Sequence, residues 1–341
     1  MSERGSSDGV HARRMIGVSL GARTTAEAEA ALREIATVAD IVELRLDFMV
    51  EYDLRRLLRD RPCPVIVTNR PEREGGRYRG PETERIRPLR AAIDLGADYV
   101  DIEHDAVEMI PDRGQTRLII SFHDFKAMPA HLAAIADDLV RRGADIVKVV
   151  GMAHHLRDNQ PVIEVLEKAT LPTIAIAMGE AGLISRIVAL RYDACFLTYA
   201  TLGRGERVAP GQLPIVVMRE VYQAEKIGSR TRVFGVLGKA SPPIELLAAL
   251  NRTTRAVGVD GVWVPLVISG DESVEGLAGD LCRLGVDGWI AIEPERRSDG
   301  VSVAVRDLEG GLARAHESSL AAAFARVTGR AAALPDFPAR F

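Results

Sequence analysis

Two short stretches set titratable residues among bulky aliphatic ones. "LIISFHDFKAMP" (118–129) carries His123, and "DIVKVVG" (145–151) carries Lys148. Lys148 stands between Ile146 and Val147 on one side and Val149 and Val150 on the other, so its ammonium has no easy route to water. A lysine must lose its proton before it can attack a carbonyl carbon and form an imine. Desolvation and neighbouring arginines both favour the neutral amine. A histidine within reach supplies the proton transfer that imine chemistry needs. A structural alternative fits the same pattern: an inward lysine paired with Glu43 or Glu103.

Other polar residues recur where apolar runs end. Glu43 and Arg45 lie in "IVELRLD" (41–47), and Arg70 closes "PVIVTNR" (64–70). Glu74 follows in "NRPEREGGRYRG", beside two glycines that let a loop turn tightly. Arg186 lies in "MGEAGLISR", where a helix start plus a guanidinium suits a carboxylate or phosphate. Gln212 belongs to "APGQLP". None of these stretches matches a phosphate-binding P-loop or a dinucleotide fingerprint.

The elements that must position these residues follow from the alternation of the chain. Eight short runs, rich in Val and Ile, are separated by longer amphipathic ones: 15–20, 41–47, 64–70, 99–104, 118–124, 145–151, 172–178 and 194–200. Eight strand–helix units, the last helix being "GQLPIVVMREVYQAEKIG", predict a (β/α)8 TIM barrel of α/β class. Along its strands one parity is polar: Glu43, Arg45 and Asp47; Thr68 and Arg70; Ser121 and His123; Lys148. Helices cover the outside of such a barrel, so this parity faces inward and its strand-end members meet at the C-terminal mouth. After "KIGSRTR" the pattern restarts as β-α-β-α-β, with strands at 233–238, 261–269 and 288–293 and a later helix in "HESSLAAAFARVTG". The expected division is a barrel over 1–228 and a smaller α/β unit over 229–341, with "LPDFPARF" as a loosely ordered tail.

Composition narrows the partners. The 341 residues carry 44 basic and 48 acidic side chains, interspersed, for a net charge of -4. That balance gives no electrostatic case for nucleic acid or an anionic membrane. The 3 cysteines form no CxxC pair, so neither a disulfide framework nor a zinc site is suggested. No apolar run is long enough for a secretion signal or a membrane span, and a cytoplasmic location is expected.

Taken together, "ELRLDF", "VTNRPEREGG", "DIEHDA", "SFHDF", "DIVKVV", "MGEAGLISR" and "APGQ" resemble, in order and spacing, type I 3-dehydroquinate dehydratase over about residues 15–225. The resemblance implies a (β/α)8 barrel that converts 3-dehydroquinate to 3-dehydroshikimate in the shikimate pathway, through a lysine imine and without metal or cofactor. It gives Lys148 the imine, His123 the general acid/base role, and Glu74 the orientation of that histidine. Arg186 becomes the partner of the substrate carboxylate, with Gln212 beside it, while Glu43, Arg45 and Arg70 hold ring hydroxyls and tune the site. A homodimer is the expected assembly.

One departure is Val208, where the family has a substrate-contacting serine. A lost hydroxyl weakens binding by about 0.5–1.5 kcal/mol unless something replaces it. The second unit resembles the substrate-binding half of shikimate dehydrogenase. It has a single serine, Ser241, where that family has a pair, Arg296 where it has a catalytic lysine, and no glycine fingerprint for a nucleotide. A non-catalytic unit, used for ligand sensing or assembly, is expected. Two other readings of the barrel stay open: a Schiff-base aldolase, and an altered barrel serving as a regulatory or binding protein.

Overall fold

The computed structural model describes residues 14–203, 210–269, 272, 277–293, 302–306, 315–317 and 320–330. Val208, Arg296 and the tail beyond 330 lie outside the described residues. Strands β1 (Met15–Leu20), β2 (Ile41–Arg45), β3 (Val65–Thr68), β4 (Tyr99–Glu103), β5 (Arg117–Asp124), β6 (Ile146–Met152), β7 (Thr173–Met178) and β8 (Leu197–Thr201) pair in sequence order. All the pairs are parallel, and β8 returns to β1. Between β7 and β8 the ring closes through a single bridge, Thr173 to Cys195. A ninth strand, β9 (Leu213–Pro214), is a two-residue addition to the end of β8 and not a stave of the barrel.

Outside lie α1 (Thr25–Ile35), α2 (Leu54–Arg59), α3 (Glu82–Asp94), α4 (Leu132–Arg141), α5 (Gln160–Lys168) and α6 (Leu183–Val188). Two of the eight expected helices are not regular helices. Between β4 and β5 the chain makes only a short 3-10 turn, Val107–Met109, before Pro111 and Gly114. After β9 the segment expected as one long helix holds a π turn at Val217–Val221 and is then broken at Gln223, whose φ of 49° leaves the helical region.

Register is pinned from below by aspartates that precede a strand. Asp40, Asp98 and Asp145 accept hydrogen bonds from the first buried amides of the neighbouring strands, at Ile16 (2.8 Å), Val65 (2.9 Å) and Leu118 (2.8 Å). A one-residue slip would turn every inward side chain outward, so these bonds guard the site as well as the fold. One parity of each strand, such as Val42, Leu44, Val65, Val67, Val147 and Val149, packs outward under the helices. The other builds the interior, floored by Ile41, Ile66, Ile119, Ile146 and Ile174. Above that apolar floor the same parity turns polar.

The chain then enters a second sheet in the order β11-β10-β12-β13-β14. β10 (Arg232–Gly238) pairs in parallel with β11 (Gly261–Val267) and β12 (Gly288–Glu293). Helices α7 (Ile244–Ala256) and α8 (Ala278–Arg283) lie between those strands in the chain. The expected β-α-β-α-β run is therefore present. The polar stretch that follows also contains strands, β13 (Ser302–Arg306) and β14 (Ala315–Glu317), which extend the sheet in antiparallel fashion. The last helix, α9 (Leu320–Thr328), starts later than "HESSLAAAFARVTG" suggests, because β14 takes its first residues. Among the described residues no helix is long and apolar enough to cross a membrane.

Candidate active site

Lys148, His123, Glu74, Glu43, Arg45, Arg70, Arg186 and Gln212 all line one cavity at the C-terminal mouth of the barrel. Strand register explains most of this convergence. Ser121 lies level with Lys148 on adjacent strands, and His123 level with Val150, so the imidazole sits one inward step above the amine. Glu43 comes from across the ring on β2, one inward step above Ile41.

Lys148 is buried, and its nearest charges are carboxylates. Nζ lies 3.0 Å from Glu43 Oε1 and 2.7 Å from Asp101 Oδ2, with the Tyr199 hydroxyl at 3.2 Å. Arg70 stands beside the amine, since its Nη2 and Lys148 Nζ each lie 2.7 Å from Asp101 Oδ2, but it is itself engaged by acids. Its guanidinium pairs with Asp101 at 2.7 Å and with Glu103, and donates to Ser121 Oγ at 2.7 Å. The pairing of Lys148 with Glu43 offered as the structural alternative is present, but inside the cavity. Glu43 is held in turn by Thr68 Oγ1 at 3.0 Å and by Ser19. Burial alone would push Glu43 up. The Lys148 ammonium, with Arg45 and Arg70 behind it, outweighs this and holds it below the ordinary carboxylate value. Asp101 is likewise held far down against its burial by Arg70 and Lys148.

Arg45 grips Asp47 through two bonds of 2.8 and 2.7 Å and lies over the Phe48 ring. Asp47 also accepts from the backbone amides of Arg70 and Arg77, tying the loop after β3 to the loop after β2. That β3 loop carries Glu74. Gly75 takes a φ of 75°, and a Cβ there would come within 2.3 Å of the Phe125 ring; at Gly76 a Cβ would meet the Arg70 carbonyl oxygen at 2.0 Å. The glycine pair thus lets the loop fold down over the mouth.

Glu74 Oε2 lies 2.9 Å from His123 Nδ1. Burial, with Glu103 and Asp101 nearby, overcomes the pull of Arg70 and pushes Glu74 up to about 8. Burial and the cations Arg70 and Lys148 hold His123 well below the ordinary imidazole value. Near neutral pH the pair is therefore an uncharged carboxyl beside an uncharged ring.

The buried charges nearly balance. Glu43, Asp101 and Glu103 face Lys148, Arg70 and Arg85, the last bridging to Glu103. Arg186 is the exception. It is 1% exposed, donates to the Pro210 carbonyl at 3.2 Å, and its Nε has no partner among the described residues. Burial alone pulls it down to about 10. Gln212 Oε1 is also buried and unpartnered. The guanidinium charge at this end of the cavity has no carboxylate to balance it among the described residues.

Sequence reasoning did not single out Asp101 or Tyr199, although both share the inward parity of Glu103 and Lys148. The signal for Asp101 was its place two residues before Glu103 in "YVDIEH". Glu74, His104 and Asp105 each offer a ligand atom within 4.8 Å of one another. Arg73, however, holds both Asp105 oxygens, at 3.0 and 2.8 Å.

Residues 16–229 match the type I 3-dehydroquinase family. The chain is 36% identical over 222 residues to 3-dehydroquinate dehydratase of Desulfotalea psychrophila, a match covering 61% of this chain and 97% of that protein. It is 34% identical over 242 residues to the chloroplastic bifunctional 3-dehydroquinate dehydratase/shikimate dehydrogenase of Arabidopsis thaliana. That match covers 67% of this chain and 40% of the relative, so the chain spans less than half of the longer protein. In fold it is similar to the dehydroquinate dehydratase and shikimate dehydrogenase of S. pombe AroM, with a TM-score of 0.52 at 24% identity, over 82% of this chain and 56% of that one. This likeness reaches past the barrel into the second sheet. The chain belongs to the type I 3-dehydroquinase family.

Proposed function

We propose that the barrel, residues 1–228, dehydrates 3-dehydroquinate to 3-dehydroshikimate through an imine on Lys148. The observation that carries the reading is a buried lysine amine between two carboxylates, with His123 on the neighbouring strand paired to Glu74 of the β3 loop. Net loss of one water from the ketone and the Lys148 ammonium gives a cationic imine that keeps the remaining N–H proton, and Glu43 and Asp101 lie where that charge forms. The cation acidifies the adjacent C–H. His123 removes that proton and returns it to the departing hydroxyl, which leaves as water, and hydrolysis frees Lys148. Arg186, with no acidic partner, takes the substrate carboxylate, and Gln212 adds a polar contact beside it. Arg70 and Arg45, held by Asp101, Glu103 and Asp47, keep the acids of the site in place and face the ring hydroxyls.

The unit over 229–341 is read as non-catalytic. From Val233 to Leu237, Val262 to Val267 and Trp289 to Ile292 its strands carry no titratable side chain. The functional partner is a small anionic substrate, and the assembly is a homodimer, which light scattering on the purified chain tests.

An ultraviolet assay for the conjugated enone tests the reaction. Borohydride added with 3-dehydroquinate should leave a reduced adduct on Lys148, and Lys148→Met should abolish both trapping and turnover. An adduct on Lys126 or Lys168, or none at all, removes the assignment. Release of a shorter carbonyl fragment would point to an aldolase instead.

A further inference from the structure

Glu74 has a second histidine beside it. His104, the residue after β4, brings Nδ1 to 3.7 Å from Glu74 Oε1, the oxygen His123 does not take. That Nδ1 is buried and without a hydrogen-bond partner, although 32% of the side chain is exposed. A buried polar atom of this kind calls for an explanation. The ring is held in place: the His104 amide donates to Ser121 O at 3.0 Å, Arg142 Nη1 donates to the His104 carbonyl at 3.3 Å, and the ring packs on Phe122 at 5.6 Å. A shift of about 0.9 Å closes the gap to Glu74 to hydrogen-bond distance.

We propose that His104 is a positioning residue for the acid/base pair. Its Nδ1 accepts the proton of a neutral Glu74, so that the other carboxyl oxygen accepts Nδ1–H of His123 and leaves His123 Nε2 free to take the substrate proton. The role rests on the reading of His123 as the base. The reason is a matter of where one proton can sit. Facing Glu74 are Arg70 from the end of β3, Asp101 and Glu103 from β4, Asp105 and His104 just beyond it, and His123 from β5. Asp105 is itself neutralised by Arg73.

Burial and those acids keep the Glu74 proton in place up to about pH 8. With His123 as the only partner, that proton points at His123 Nδ1 and forces the ring hydrogen onto Nε2, a form that cannot accept. A second imidazole gives the carboxyl proton another place to point. During turnover the C–H bond breaks and Nε2–H forms; that hydrogen then leaves with the hydroxyl as water, while the Glu74 proton stays where it is.

Nitrogen-15 NMR of the histidine rings in the full-length chain at pH 7, with the His123 signal assigned through His123→Gln, reads the tautomer directly. We expect Nδ1–H in the wild type, Nε2–H in His104→Phe, and Nδ1–H again in His104→Asn, whose amide reproduces the Nδ1 position. Turnover of His104→Phe should fall on the order of tenfold at pH 7, less than loss of the acid/base itself, and recover above about pH 9 once Glu74 is ionised. An Nε2–H tautomer in the wild type overturns the role whether or not any variant folds. So does a His104→Phe deficit that is equal at every pH. Because the tautomer is read without turnover, a wild type with Nδ1–H that fails to dehydrate sinks the functional reading alone. An active wild type with Nε2–H sinks only the positioning role.

Discussion

The barrel and the second sheet are made from the same parts and differ in one parity. Both are built on parallel strands with helices between them, the second sheet with two antiparallel strands added, and both pin register with an aspartate: Asp287 accepts from Val233 N at 2.8 Å as Asp40 does from Ile16 N. In the second sheet both faces of the parallel strands are apolar, with Phe234, Trp263 and Phe324 packed on one face and Trp289 buried on the other. In the barrel the outward face is equally apolar, but the inward face changes character one step above its floor. There Glu43, Asp101 and Lys148, with Arg70 one step higher, take the places that valines and isoleucines fill elsewhere. Parallel strands fold readily with two apolar faces. A charged inward parity therefore marks where stability has been given up for chemistry.

The sharpest way to break this contrast is to remove a titratable side chain from the barrel interior and compare it with removing the second unit. His123→Ala should cut turnover roughly 100- to 10,000-fold, the range of a general acid/base. Borohydride trapping should partly survive, because the amine forms the imine. Near-normal turnover would reject the role.

Glu74→Gln should reduce turnover less, since it orients the ring, and should also leave a signature in stability. Glu74 is pushed up from 4.5 to about 8 in the fold. For such a group the stabilisation is complete below the unfolded value and is lost as pH rises through about 8. Thermal melts should show Glu74→Gln gaining on the wild type between pH 5 and 9. Asp101, held down, has the opposite sign: its contribution is present above the unfolded carboxyl value and lost on acidification. A Glu74→Gln difference that does not change with pH would show that the carboxyl is not buried uncharged.

The smallest effect should come from the second unit. Residues 1–228 alone should keep the dehydration chemistry, with a lower melting temperature. The full chain should oxidise no shikimate with NADP, and measurable oxidation would overturn the silent reading. If the unit senses a pathway compound such as shikimate, that ligand should change the rate of the full chain and not of the truncated one. A folded but inactive 1–228 would show that the second unit completes the site.

Much of the contrast was legible in the sequence. The strand runs are visible because burial on both faces demands continuous Val and Ile, and "IVELRLD" shows its inward parity by breaking that rule. Period-two alternation carries Glu43, Arg45, Arg70, His123 and Lys148 to one cavity, while Glu74 and Gln212 arrive on loops and Arg186 on α6. Which charge meets which was not legible. Lys148 faces Glu43 and Asp101, whereas Arg70 is drawn to Asp101 and Glu103, and those pairings depend on side-chain reach across the ring. The helix expected after β8 also failed, because apolar spacing does not register a residue like Gln223 taking a left-handed turn. His104 reads as an outward residue of "YVDIEH", and only the fold of the glycine loop brings Glu74 beside it.

The closure of the barrel has a mechanical side. Neighbouring staves elsewhere share runs of paired residues, but β7 and β8 meet through Thr173 alone, which donates to Ala194 O at 2.7 Å and accepts from Phe196 N at 2.9 Å. Local opening starts where the ladder is shortest, so amides around 173 and 195 should be the first of the ring to exchange with solvent. The helix that spans this joint, α6, is packed against β11 of the second sheet. Arg191, just beyond α6, donates to the Gly285 carbonyl at 3.0 Å. The second unit thus works like a hoop drawn over the one loose joint of a cask, and that joint lies a single stave away from the strand that carries Lys148.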